Sequence, residues 1–249
     1  MIRDDAPRGA LTGKVAVVVG GASGIGRTTA RALGQQGARV VIADFDAERM
    51  ERTVGELLQL GSADAALALP TDVRSDSSVR SLAADAIKAM GQVDILINMA
   101  GVLLQGPLER VKASDWKWML ETNLLGTVRT TLAFLPHMVA RRSGHIINTV
   151  SAGGLSPLSI AYDSGGAALT TFTRGLAAEM EGKGVNVSLY TISAGGPRIG
   201  QNTRSRGMGR LLHPVNDLEE TAPPNGQLVD VLIDTLHRPR FAVVAEPAR

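Results

Sequence analysis

Apolar runs alternate with amphipathic stretches along this chain. Residues 15–19, VAVVV, are apolar without a break, as a strand buried on both faces of a parallel sheet requires. A glycine-rich turn follows, with Gly20, Gly21, Gly24 and Gly26. Residues 27–36 carry helix formers, with Ala30 and Leu33 spaced to face a sheet and Gly37 as the stop. Residues 39–43 make a second apolar run that ends on Asp44. The alternation continues through helix 47–60, closed by Gly61, strand 65–69, and helix 75–90, capped by Ser75 or Asp76 and closed by Gly91. Strand 93–97, a connection over 107–114, a long helix over 115–141 and strand 145–150 come next. Helix 164–181 and strand 185–192 lead into an irregular stretch, 193–225, rich in Gly, Pro and Arg; helix 229–236 and strand 241–244 end the pattern. This order predicts an α/β fold: a doubly wound parallel sheet of about seven strands with helices on both faces, in one domain over 1–249. Trp116, Trp118 and Tyr190 read as packing residues.

Composition narrows the setting. The 249 residues are 44% hydrophobic, enough for a large core, and the net charge is +2. Basic residues are scattered apart from Arg198, Arg204, Arg206 and Arg210, so no nucleic-acid footprint is expected. The arginine group reads as a solvated loop, as an anchor for an acidic substrate, or as the source of a cation that reaches the site. There is no cysteine, which excludes disulfides, thiolate chemistry and cysteine-based metal sites. The polar N-terminus lacks a signal-peptide core and no run suits a membrane span, so a cytoplasmic protein without membrane contact is expected.

The first strand, turn and helix carry recognisable chemistry. Glycines let the chain turn sharply and let a pyrophosphate approach backbone N–H groups, while the helix start offers free donors and a positive dipole end. A carboxylate at the end of the second strand, Asp44, can accept hydrogen bonds from a ribose.

The spacing Gly20-x-x-x-Gly24-x-Gly26 resembles the short-chain dehydrogenase/reductase family, whose fold is Rossmann-type. Further matches are Asp72-Val73 after the third strand, Asn98-Met99-Ala100-Gly101 after the fourth, and Asp115-Trp116 and Asn123-Leu124-Leu125-Gly126 on the long helix. Ser151 and Tyr162 complete the set. The resemblance implies that Gly20, Ser23, Gly24, Ile25, Gly26, Asp44, Asp72, Val73, Asn98, Ala100 and Gly101 bind the cofactor. It also implies catalysis by Ser151 and Tyr162, with Asn123 holding a water in a proton relay. The alternative for Asn123 is a structural amide that kinks the helix. Asp44 would repel a 2′-phosphate, and Ser23 stands where NADP-preferring members carry a cation, so NAD(H) is expected over NADP(H). The segment 193–225 corresponds to the substrate lid, and helices 115–141 and 164–181 to the surfaces that pair subunits into dimers or tetramers.

The sequence departs from the family at the centre of its chemistry. The family writes Tyr-x-x-x-Lys; here the run is Tyr162-Asp163-Ser164-Gly165-Gly166, with Gly166 at the lysine position. Val19 replaces the Thr before the glycine turn, Met99 replaces an Asn, and Ile192-Ser193 replaces a Pro-Gly. Without the ammonium, an ordinary tyrosine near pKa 10 is ionised in only about one molecule in a thousand at neutral pH. The primary expectation is therefore an NAD(H)-dependent oxidoreductase acting on a small carbonyl or secondary alcohol, impaired or biased to reduction. A lyase, isomerase or cyclase on the same scaffold, and a catalytically silent cofactor-binding protein, remain as alternatives.

Overall fold

The five aliphatic residues of β1 (Val15–Val19) are all buried, as a strand covered on both faces must be. They sit in a computed structural model that describes residues 9–60, 65–151, 158–192, 203–207 and 225–245. β2 (Arg39–Asp44), β3 (Ala66–Pro70) and β4 (Ile95–Asn98) follow in chain order. β5 (Leu103–Gln105) stands apart from the main sheet, which continues with β6 (Gly144–Ser151) and β7 (Val185–Ile192). β8 (Thr203–Ser205) pairs with β5 in a separate two-stranded ribbon, and β9 (Ala242–Ala245) ends the main sheet. The seven-stranded order is β3-β2-β1-β4-β6-β7-β9, all parallel. Chain direction along the sheet reverses between β1 and β4, the switch point at which ligands bind in open α/β sheets.

Two apolar cores follow from the two faces. α1 (Gly24–Gln35) and α2 (Ala47–Leu58) cover one face together with α7 (Asn225–His237), through Leu33, Met50, Leu57, Leu228 and Leu232. α3 (Asp76–Met90), α5 (Gly126–Arg141) and α6 (Ile160–Met180) cover the other, through Leu82, Phe134, Met138 and Leu176. Tyr190 lies in the first core, as expected, and its hydroxyl donates to the Leu228 carbonyl.

Three elements differ from the sequence expectation. The helix expected over 115–141 is α4 (Ala113–Leu120), a π turn (Glu121–Leu125) and α5. The turn carries Asn123, whose Oδ1 accepts from Val102 N at 2.8 Å and whose Nδ2 donates to Val102 O at 2.8 Å. An amide bonded to a neighbouring backbone in this way fixes a local departure from α geometry. Second, α6 begins at Ile160, four residues earlier than expected. Ser159 Oγ donates to Asp163 Oδ2 at 2.9 Å and organises that first turn. Tyr162 is thus inside the helix, and Gly165 and Gly166 fall in its second turn. Third, the segment 193–225 is not wholly irregular: β8 lies within it, and α7 starts at its end. The rest of the expected lid lies outside the described residues.

A buried polar chain crosses the sheet. Thr130 Oγ1 donates to Asn98 Oδ1 at 2.7 Å, Asn98 Nδ2 to Asn148 Oδ1 at 2.9 Å, and Asn148 Nδ2 to Thr173 Oγ1 at 3.0 Å. All four residues are buried, so each lost partner strands a polar group away from water. Asn148→Ala is expected to cost about 2–3 kcal/mol, read as a lower urea midpoint at unchanged slope.

Candidate active site

The glycine turn is closed too tightly for any other side chain. Gly20 has φ +82, and a Cβ there would lie 2.7 Å from Ala100 N. A Cβ on Gly26 would lie 2.1 Å from Gly20 O. Ser23 caps α1 in extended geometry without a side-chain bond, and no acid occupies the first turn of that helix. The positive end of α1 is therefore not neutralised locally, and its first N–H groups suit an anion. A dinucleotide pyrophosphate fits this cradle.

The turn opens into a cleft of about 460 Å³ along the carboxyl ends of the central strands. At its outer end Asp44 accepts hydrogen bonds from Ala22 N (3.1 Å), Phe45 N (2.8 Å) and Asp46 N (3.2 Å). Burial pushes its pKa up, and those three N–H groups oppose the push. Asp72 is held differently. Arg74 donates to both its oxygens, at 2.9 and 2.7 Å, and keeps its pKa below the usual range. Of the expected cofactor residues, Gly20, Ser23, Gly24, Ile25, Gly26, Asp44, Asp72, Val73, Ala100 and Gly101 all line this cleft. Asn98 does not. Its side chain is committed to the buried chain through Thr130 and Asn148, and supports the sheet there.

Asn123, Ser151, Tyr162 and Gly166 line the inner end of the same cleft. Tyr162 is pushed up to about 12, by burial first and by the nearby charge of Asp163, with the neighbouring Ser151 hydroxyl opposing both. Ser151 Oγ is itself buried beside the Tyr162 phenol. Asn123 holds the Val102 backbone through both atoms of its amide while lining the cleft. The two glycines after Tyr162 differ. A Cβ on Gly165 would meet Met119 Sδ at 3.2 Å, so that glycine lets α6 approach α4. A Cβ on Gly166 would meet nothing within 4 Å.

Of the arginine cluster, Arg204 and Arg206 are described, and both are engaged within the protein. Arg206 donates to Asp115 through Nε (2.9 Å) and Nη2 (2.5 Å), and Arg204 approaches the same carboxylate at 3.6 Å. Asp115 is fully buried and its pKa is driven down to about 2, chiefly by the Arg206 hydrogen bonds. The Arg204 guanidinium lies 4.0 Å from the centre of the Trp118 ring, and Trp118 lines the cleft. These arginines tie β8 down onto α4. Arg198 and Arg210 lie outside the described residues. Sequence reasoning also passed over Phe45, which follows Asp44 in the cleft wall and is 72% exposed. An aromatic side chain directly after the strand-ending acid was the available signal. Asp163 and Thr149, which line the cleft too, carried no such signal. Among the described residues there is no cluster of His, Cys, Asp or Glu able to hold a metal, and no helix is long and apolar enough to cross a membrane.

Comparison with known proteins agrees with this geometry. The short chain dehydrogenase family pattern matches residues 14–204. An uncharacterized oxidoreductase of Staphylococcus aureus (strain USA300) is 37% identical over 187 residues, covering 74% of this chain and 78% of that one. The structure of a short chain dehydrogenase/reductase from Burkholderia phymatum in complex with NAD superposes with a TM-score of 0.83 at 26% identity, covering 96% of this chain and 90% of that one. A metagenomic short-chain oxidoreductase in complex with NADP gives 0.78 at 27% identity, covering 96% and 99%. The glycine turn, the acid that ends β2 and the Ser151–Tyr162 pair thus stand in a chain that belongs to the short-chain dehydrogenase/reductase family of oxidoreductases.

Proposed function

We propose that this protein is an NAD(H)-preferring oxidoreductase that interconverts a carbonyl and a secondary alcohol on a small molecule, biased toward reduction. What carries the reading is one cleft with a phosphate-sized glycine turn and Asp44 at one end, and Ser151 with Tyr162 at the other. The bound nicotinamide would supply or accept the hydride. The turn and the start of α1 bind the pyrophosphate, and Asp44 accepts the ribose hydroxyls and repels a 2′-phosphate. Phe45 offers an apolar face to the adenine. Ser151 orients the substrate oxygen, and Tyr162, a neutral phenol with its pKa pushed up to about 12, donates a proton to it. Proton abstraction from an alcohol needs the phenolate, which burial and Asp163 disfavour, so oxidation is the slower direction.

Calorimetric titration with NADH and NADPH tests the cofactor assignment. NADH is expected to bind in the micromolar range, with NADPH at least about tenfold weaker, a difference of about 1.4 kcal/mol. Asp44→Ser should shrink that ratio by weakening NADH and strengthening NADPH. Equal binding of both cofactors to the unmodified protein would refute the NAD preference, and binding of neither would refute the oxidoreductase reading.

A further inference from the structure

We infer that the substrate carries an uncharged aryl group, and that Trp118 receives it beside Tyr162. The site is assigned by an aromatic ring that lines the cleft, a guanidinium that occupies the ring's other side, and the contact that sets this turn of α4 against the Tyr162 turn of α6. Naming the aryl group's carrier as the substrate rests on the oxidoreductase reading; the stacking site itself does not.

Trp118 and Val102 line the cleft, and both are partly exposed rather than sealed in the core. Both also pack on the small cluster of Leu104, Met119 and Ala161. Ala161 directly precedes Tyr162, so the indole and the phenol share one neighbourhood. Gly165 brings the two helices together there: a Cβ on it would meet Met119 Sδ at 3.2 Å and Leu120 Cδ2 at 3.4 Å. Gly166 lines the cleft as well, and a Cβ on it would meet nothing within 4 Å, so room is left on the α6 side. Val102 is pinned by Asn123, which bonds its backbone N and O at 2.8 Å each.

The indole is fixed before any ligand arrives. The Arg204 guanidinium stands 4.0 Å from its centre, and Arg204 does not line the cleft, so one side of the ring is taken by protein and the other is left to the cleft. Asp115, three residues before Trp118 on α4, holds Arg204 at 3.6 Å and Arg206 at 2.9 Å. A ring held in this way loses little freedom when a partner stacks on it. Charge completes the specification. Among the described residues of α4, β6 and α6 that line the cleft there is no Lys, Arg or His to pair with an acidic substrate. The one acid among them, Asp163, has Oδ1 buried and Oδ2 bonded to Ser159 Oγ, and Arg204 behind the indole disfavours a cation in front of it. A neutral planar group meets none of these penalties. Against the indole an aryl ring gains offset or edge-to-face contact that a saturated ring of the same size lacks.

The probes are 1-phenylpropan-2-ol and 1-cyclohexylpropan-2-ol. They carry the same secondary alcohol, and the saturated ring is the more hydrophobic, so a pocket that only buries apolar area prefers the cyclohexyl probe. Calorimetry on the full-length protein without cofactor is expected to show saturable binding of both, with the phenyl probe about three- to tenfold tighter. Trp118→Leu should reverse that order, and Trp118→Phe should keep it. Trp116 does not line the cleft, and Trp116→Phe leaves Trp118 as the one tryptophan of the chain. In that variant the preference should stand, and Trp118 emission should change along the calorimetric binding curve, a readout that needs no substitution at the site. Absent saturation, equal or tighter binding of the cyclohexyl probe, a preference that survives in Trp118→Leu, or unmoved Trp118 emission overturns the inference. So does displacement of the phenyl probe by saturating NADH, which would give the Trp118 face to the cofactor. Because the first titrations contain no nicotinamide, their failure leaves the NADH assignment intact. Conversely, loss of NADH binding with the phenyl preference retained removes only the oxidoreductase reading.

Discussion

Gly166→Lys is expected to lower the Tyr162 midpoint from about 12 by roughly two units and to raise alcohol oxidation at pH 8 about 10- to 100-fold. The first atom of the new side chain enters open space, because nothing lies within 4 Å of a Cβ at that position. It also replaces glycine in the second turn of α6 with a good helix former, worth up to about 1 kcal/mol of stability. The new ammonium would sit on the same side of the helix as the phenol, one turn on, and would offset the two influences that now protonate it, burial and Asp163. The direction of the effect follows from which form is charged. Only the phenolate gains from a nearby cation, so the phenolate becomes accessible at lower pH and the rate of oxidation rises earlier along the pH axis. Carboxamide-free alcohol panels with NAD, followed as NADH absorbance across pH, give the rate profile. Absorbance near 295 nm follows the phenolate directly, with Tyr190 as the one other tyrosine in the chain. Tighter NADH binding should accompany both. A variant that folds, binds NADH as before and leaves both pH curves unmoved would show that Gly166 does not stand beside Tyr162 in the working site.

Gly26→Ala should have the largest effect on cofactor binding. Its Cβ would lie 2.1 Å from the Gly20 carbonyl oxygen, a backbone atom that cannot swing aside. Relief requires the turn to open or α1 to shift, and either movement takes the first N–H groups of the helix away from the pyrophosphate. Overpacking of this kind costs about 1–3 kcal/mol of stability. NADH affinity is expected to fall by about 100-fold or more, or about 2.7 kcal/mol, in the calorimetric titration. Gly55→Ala is the matched control. Gly55 lies in α2 with open space around its would-be Cβ, so alanine there should stabilise the fold by up to about 1 kcal/mol and leave binding alone. Parent-like NADH binding by Gly26→Ala would remove the glycine turn from the cofactor site.

What the sequence made legible was local. β1, the glycine turn, α1 and β2 form one contiguous unit, and each is announced by residues within it. β7 was also readable to its ends, because residues 185–192 are mostly apolar or β-branched and begin directly after Gly184. The features that escaped depend on distant partners. β5 and β8 are three residues each, too short for a periodic pattern, and they pair across a gap of about a hundred residues. Arg206 reads as a solvated loop arginine until Asp115, 91 residues earlier, is seen to be buried against it. Asn98 stands in a loop motif that suggests ligand contact, yet Thr130 and Asn148 claim its side chain from elements that the motif does not include. Gly165 and Gly166 look alike in the sequence; the approach of Met119 separates a packing glycine from an empty position.

The π turn at Glu121–Leu125 divides what reads as one helix into two rotational registers. Adding one residue to a turn advances the helical phase by about 100°. Asp115, Trp118 and Met119 keep the phase that meets β8, the cleft and Ala161, whereas Thr130, Phe134 and Met138 keep the phase that meets the sheet. A single uninterrupted apolar stripe could satisfy only one of these neighbours. The joint therefore uncouples the two halves: substitutions that retune α4 toward a different lid or ligand leave the sheet-facing stripe of α5 in phase. A one-residue deletion inside the joint would turn α4 against everything it touches without altering a single side chain on it.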